Sequence, residues 1–438
     1  MIRDRTLLRP RYTGLTINSK PYMLCATVRL YDWMQWSDKG RFHRVSHAAN
    51  RAVAIPEGYR LRLPGPTFVP ERIRQATARP IVNHRGPEFR AMLADAEERL
   101  KPIFGTRNRI LFFAASGSGM MEAAVVNIAS AGTELLFVSH GQFGERFATI
   151  AQEIGARFDR LDMPWGSDID IDAVAQRLRE KTYRAVFVIH NESSTAITAD
   201  LARLGALVRD TPTLLVTDSV SGLAGTEMKQ DEWGVDVVVS ASQKALMCPP
   251  GLGLASVSAK AWEVIDRGDH LPAFYWSFKR ALASLEKGET PFTPAVPVVY
   301  GLLEALDMIH AEGLPRVLAR HRRLSTALRD GAAAINLPIF GTGRNLSSTV
   351  VALSVPQALD GAAIVKALYE RHRTVIAGSR NRLSGRVIRI GTMGDFDDDT
   401  ILTDLAHLES VLADLGHAFT SGAGIAAARA SLAASIQR

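Results

Sequence analysis

The chain has 438 residues, 47% of them hydrophobic and 22% charged, with 34 Gly, 20 Pro and two Cys, a composition that excludes a disordered chain, a collagen and a disulfide scaffold. Its formal charge of +7 raises the question of an acidic partner such as nucleic acid or a membrane. Position narrows that question, because residues 1–60 hold eleven Lys and Arg against four Asp and Glu, and the remainder balances.

Residues 1–59 therefore read as a basic N-terminal extension. The opening MIRDRTLLRP is rich in Arg but lacks the apolar stretch of a secretory signal, and Tyr31, Trp33 and Trp36 fit an organellar transit peptide poorly. Cys25 and Cys248 are too far apart for a CxxC metal clip, and a reducing, cytoplasmic setting is expected, with no metal site. No apolar run reaches the roughly 20 residues of a membrane span, and neither nucleic acid nor membrane is expected as a partner.

From residue 60 short apolar runs alternate with longer helical stretches. ILFFAA (110–115), ELLFVS (134–139), AVFVIH (185–190), TLLVTD (213–218), VDVVVS (235–240) and LGLASV (252–257) read as buried parallel strands. The segments between them place apolar residues three and four apart, as helices do. The pattern predicts an α/β fold, a large doubly wound and mostly parallel sheet over 60–315. Mainly helical sequence follows, then a smaller C-terminal α/β domain over 316–416. The Ala-rich 417–438 reads as a tail or frayed helix.

In an open parallel sheet, ligands bind beyond the C-terminal strand ends. After ILFFAA comes Ser116-Gly117-Ser118-Gly119, with a helix expected from about Met120, a turn suited to holding a phosphate on backbone N–H groups. TLLVTD ends on Asp218. VDVVVS leads into Ser242-Gln243-Lys244, a lysine among small and apolar neighbours whose ammonium form is disfavoured and whose amine is available as a nucleophile. Each feature alone is common in structural roles. Together, a phosphate cradle, an Asp and a Lys at neighbouring strand ends are what pyridoxal 5′-phosphate needs: an amine for its aldehyde, a carboxylate for its ring nitrogen and a helix start for its phosphate. HNESST (190–195) adds hydroxyls and an acid, and GQFGER (141–146) offers Phe143 as a flat surface.

The motifs SGSGMMEAAVVN, HGQFGER, HNESSTA, VTDSVSGLAGTE, SASQKALMCPPGLG and RIGTMG, in this order between 63 and 395, resemble the class V aminotransferases of PLP fold type I, the alanine:glyoxylate and serine:pyruvate group. The resemblance implies that Lys244 is the imine-forming lysine and Asp218 the partner of the pyridine nitrogen. Val220 and Phe143 would face the two sides of the ring. Ser118, Gly119, the Met120 backbone and Gln243 would hold the phosphate, and Ser193 would lie near the phenolic oxygen. Thr293 would reach the phosphate of a neighbouring subunit, so a homodimer is implied. Arg389 would clamp the substrate α-carboxylate, a task for which a planar guanidinium fork is suited and a lysine is not. Arg85, in NHRGPEF, is the candidate for an acidic substrate side chain. Cys248 is expected to pack beneath the cofactor. The expected reaction is a ping-pong transfer of an amino group from a small amino acid, alanine or serine-like, to glyoxylate or pyruvate. Its alternatives on the same scaffold are an acidic or phosphorylated donor, or a lyase.

Overall fold

The computed structural model describes residues 55–436 and the backbone of two short strands before them, Gln35–Trp36 and Phe42–His43, which pair antiparallel. By contacts the chain divides into Met1–Ile55 and Pro56–Arg438. Cys25 and most of the basic extension lie outside the described residues. In the second unit no helix is long and apolar enough to cross a membrane.

The larger sheet has seven strands: β1 (Ile110–Phe113), β2 (Glu134–Ser139), β3 (Arg157–Asp162), β4 (Ala185–Ile189), β5 (Leu214–Asp218), β6 (Val237–Ala241) and β7 (Gly253–Val257), in the order β1-β7-β6-β5-β4-β2-β3. Their apolar runs are buried on both faces, the burial a parallel sheet requires. β7 departs from the expected parallel set and runs antiparallel to both β6 and β1. The loop 242–252 between β6 and β7 contains no helix and falls short of the roughly dozen residues that a parallel crossover needs. The chain turns back instead, which keeps this loop at the same end of the sheet as Asp218, paired in register beside β6. β3 has no apolar run to announce it. Its sequence RFDRLD is charged because it forms the edge of the sheet, where charge discourages pairing with another chain.

A second sheet joins β8 (Val350–Ser354), β9 (Ala377–Gly378) and β10 (Val387–Gly391) in the order β8-β10-β9, all antiparallel. It packs over its own apolar cluster, which includes Leu324, Leu353, Ile390, Leu405 and Leu432. The Ala-rich C-terminus is a helix, Ala423–Ile436, and not a frayed tail. Alanine is the strongest helix former, and its small side chain lets helices approach closely. A Cβ on Gly331 would lie 2.4 Å from Leu405 Cδ1 and 2.8 Å from the Gly424 carbonyl. The buried Glu409 carboxylate accepts from the N–H groups of Gly422 (2.7 Å) and Gly424 (2.9 Å), anchoring the helix start.

Candidate active site

Two adjoining cavities, of about 270 and 520 Å³, open at the C-terminal ends of β4, β5 and β6, and they share Gly65, Phe143, Arg146, Ser193 and Lys244. Lys244 is held in the 242–252 loop by a ring of backbone bonds, among them Ser242 N–H to Leu252 O (2.9 Å) and Cys248 N–H to Ser242 O (3.1 Å). Its ammonium is buried and donates to the Pro64 carbonyl. Burial pulls its pKa down to about 8, against the opposing attraction of Asp218. Gly65 is required at φ +121°, because a Cβ there would fall 2.3 Å from Lys244 Nζ.

Asp218 closes β5, with its Oδ1 accepting from Val220 N–H at 2.6 Å. Burial pushes its pKa up to about 7, and the charge of Glu192 adds to this while Lys244 and Arg146 oppose it. A carboxylate so placed is ionised at little cost only when a cation faces it. Val220 lines the first cavity beside it. Glu192, the acid of HNESST, does not face the cavity. Its buried carboxylate is spent on the N–H groups of Phe143 and Gly144 (3.0 Å each), at the start of helix Gln142–Glu153, and on Ser194. That anchor fixes Phe143 at the cavity wall.

The helix expected from about Met120 begins three residues earlier. Ser116 is the N-cap and the helix starts at Gly117, so the Met120 N–H is already bonded to Ser116 O (3.2 Å) and the Gly119 N–H faces Ser116 Oγ (3.5 Å). Ser116, Gly117 and Ser118 line the cavity. Met120 is fully buried against Gly253, and Gly119 backs onto Trp276, where a Cβ would meet Cη2 at 2.6 Å. Of the three residues expected at the phosphate here, Ser118 lines this cavity and Gly119 and Met120 do not. Either serine of SGSG could have capped the helix, and only the strand end at Phe113 decides which one does.

Arg389, on β10, donates to Ser193 O (2.9 Å) and Gly378 O (3.0 Å), and its buried Nε has no partner among the described residues. Gln243 lines the first cavity with its amide Oε1 buried and unpaired. Arg146, passed over in the sequence although it stands in the GQFGER motif, donates to Ser118 Oγ (3.2 Å) and lies 4.7 Å over the Phe143 ring. Two expected residues stay away from these cavities in the single chain. Arg85 is tied, with Arg90, to Glu289, and Thr293 is exposed on the surface. Cys248 is buried, its thiol donating to Leu246 O (3.1 Å) and its pKa raised by burial. Among the described residues no three His, Cys, Asp or Glu side chains gather as a metal set.

The sequence profile of the family described as Aminotransferase class-V matches residues 72–389. The chain belongs to the class V aminotransferases. A serine–glyoxylate aminotransferase of Hyphomicrobium methylovorum is 35% identical, covering 84% of this chain and 93% of that protein. A Synechococcus protein named as the small subunit of a soluble hydrogenase is 38% identical over 84% of this chain and 97% of its own length, a name that describes that protein. The solved ureidoglycine–glyoxylate aminotransferase of Bacillus subtilis superposes with a TM-score of 0.81 at 27% identity, over 87% of this chain and 99% of that one. As a class V aminotransferase of PLP fold type I, the enzyme uses pyridoxal phosphate, and its residues fit that group. Buried Asp218 lacks a cation of its own and Lys244 is a desolvated amine. The first turn at Gly117 has N–H groups unspent within the helix, and a Cβ there would press to 2.8 Å on Val220 Cγ2.

Proposed function

We propose that this enzyme moves the amino group of a small amino acid, alanine or serine-like, to glyoxylate or pyruvate in a ping-pong sequence. The observation that carries the reading is that Lys244 lines both adjoining cavities, with Asp218 on the wall of one and Arg389 on the wall of the other. Bound pyridoxal phosphate supplies an electron sink that weakens the Cα–H bond of the amino acid joined to it. Lys244 Nζ would take the proton from Cα as base and deliver it to the cofactor's C4′ carbon as acid, and its lowered pKa favours the free amine that this needs. Asp218 accepts from the protonated ring nitrogen and is held ionised by that cation.

Arg389 receives the α-carboxylate on the N–H bonds its backbone anchors leave free, which orients Cα toward Lys244. Ser116, Gly117, Ser118 and Gln243 hold the phosphate, with Arg146 adding positive charge at Ser118. Val220 and Phe143, on the cavity wall, would face the two sides of the ring, and Ser193 would lie near the phenolic oxygen. Exposed Thr293 serves the phosphate of a second subunit, so the working form is a homodimer, and the cytoplasm is its setting. With this reading goes a catalytic body of a large part to 315 and a small C-terminal part from 316.

The test is a donor-by-acceptor screen with alanine and serine against glyoxylate and pyruvate, following both product acids. Transfer at parallel-line kinetics is expected for the wild type and none for Lys244→Ala. Wild-type turnover by a Lys244→Ala protein would refute the reading.

A further inference from the structure

The cavity above Lys244 carries more positive charge than one α-carboxylate neutralises. Arg146, Lys244, Arg380 and Arg389 line it, and no Asp or Glu does. Arg389 is placed for the α-carboxylate and Arg146 points to Ser118 at the cradle. Arg380 is left over. Among the described residues no carboxylate pairs with it, whereas Arg382, two residues on, is tied to Glu145 at 2.5 Å.

The loop that bears Arg380 is fixed next to Arg389. Gly378 O accepts from Arg389 Nη2, and the Ser379 N–H donates to Val387 O, each at 3.0 Å. The two guanidinium groups are close enough that Arg380 helps depress the pKa of Arg389, after burial, which has the larger effect. Ser379 Oγ is buried in this wall with no partner among the described residues. A buried hydroxyl without a partner and an exposed guanidinium that no carboxylate pairs among the described residues, both on a cavity wall lined by four cations and no acid, offer donors to an anion.

We infer that Ser379 and Arg380 form a second anion subsite, which takes the distal carboxylate of a short dicarboxylic amino acid or oxo acid while Arg389 holds the α-carboxylate. One guanidinium and one hydroxyl supply the two or three donors that a carboxylate accepts. A phosphate monoester, with three oxygens and a charge near −2, needs a fuller set. Arg85, the expected reader of a distal anion, shares Glu289 with Arg90 and lines neither cavity in the chain. The inference rests on the amino-transfer reading and widens its substrate range to dicarboxylates.

The experiment compares kcat/KM for aspartate, phosphoserine and alanine, each with glyoxylate, in the full-length holoenzyme and its Arg380→Ala, Arg380→Lys and Ser379→Ala variants. The aspartate-to-alanine ratio is expected to fall about ten- to hundredfold in Arg380→Ala, the range of one charge-assisted hydrogen bond. It should recover in part in Arg380→Lys and fall less in Ser379→Ala. The cofactor absorbance of each variant confirms an intact site. An unchanged ratio in Arg380→Ala, no wild-type turnover of aspartate, or a wild-type preference for phosphoserine over aspartate would overturn the inference. Alanine turnover in the same preparation reports separately on amino transfer itself.

Discussion

The two walls of the active site are built on different principles. The wall beneath the cofactor consists of buried groups pinned by backbone: Lys244 in a closed loop, Asp218 at a strand end, Gly65 and Gly117 where no Cβ fits. The wall facing the substrate is a short strand and loop, 377–389, that presents guanidinium groups with few fixed partners. The first wall tolerates little change because each of its groups is over-determined. The second can vary its cations without disturbing the core, which is where a common chemistry acquires a particular substrate.

That contrast orders the effects of substitution. Lys244→Ala should cost about 10⁴-fold or more in kcat, the upper end of general acid–base catalysis, measured by steady-state transfer to glyoxylate. Arg389→Ala should cost about 10² to 10³ in kcat/KM through the lost carboxylate fork, and Arg389→Lys should recover little of it because a point charge does not reproduce the fork. Gly117→Ala, which drives a methyl against Val220, should weaken cofactor retention about tenfold, read by dialysis and absorbance. Arg85→Ala should change kcat/KM by less than about twofold for the neutral donors, since it lines neither cavity and is engaged on the surface by Glu289. A large effect there with an undisturbed fold would move the substrate wall to include the neighbouring subunit.

Asp218 tests the buried wall through pH. Its folded pKa lies above its unfolded value, so between about pH 4 and 7 the cofactor-free folded state holds the proton more tightly than the unfolded chain. Stability from this group is therefore lost as pH rises through that window, by up to about 4 kcal/mol at about 1.4 kcal/mol per pKa unit. Thermal melts of the cofactor-free Asp218→Asn protein should show a smaller decline over that range than the wild type. The same variant should bind cofactor less tightly.

Much of the buried wall was legible in the sequence, because strand ends rich in Val, Leu and Phe fix where Asp218 and Lys244 must emerge. The direction of β7 was not, since periodicity reads a strand without its sense, and only the shortness of 242–252 decides it. The helix after β1 starts three residues before the expected Met120 because two serines in SGSG are equally good caps. The C-terminal stretch reads in sequence as a tail or frayed helix because its apolar stripe is thin, Ile425, Ala428 and Leu432 among alanines. Arg146 and Arg380 carried no signal of their own. An arginine's partners are distant in sequence, and only the folded chain tells a spent guanidinium from an unspent one.

The central claim is that Lys244 carries the cofactor opposite Asp218. Borohydride reduction of the yellow holoenzyme, followed by peptide mass spectrometry, tests it directly. The account predicts a phosphopyridoxyl group on the peptide containing Lys244; the same group on another lysine, with Lys244 unmodified, would contradict it.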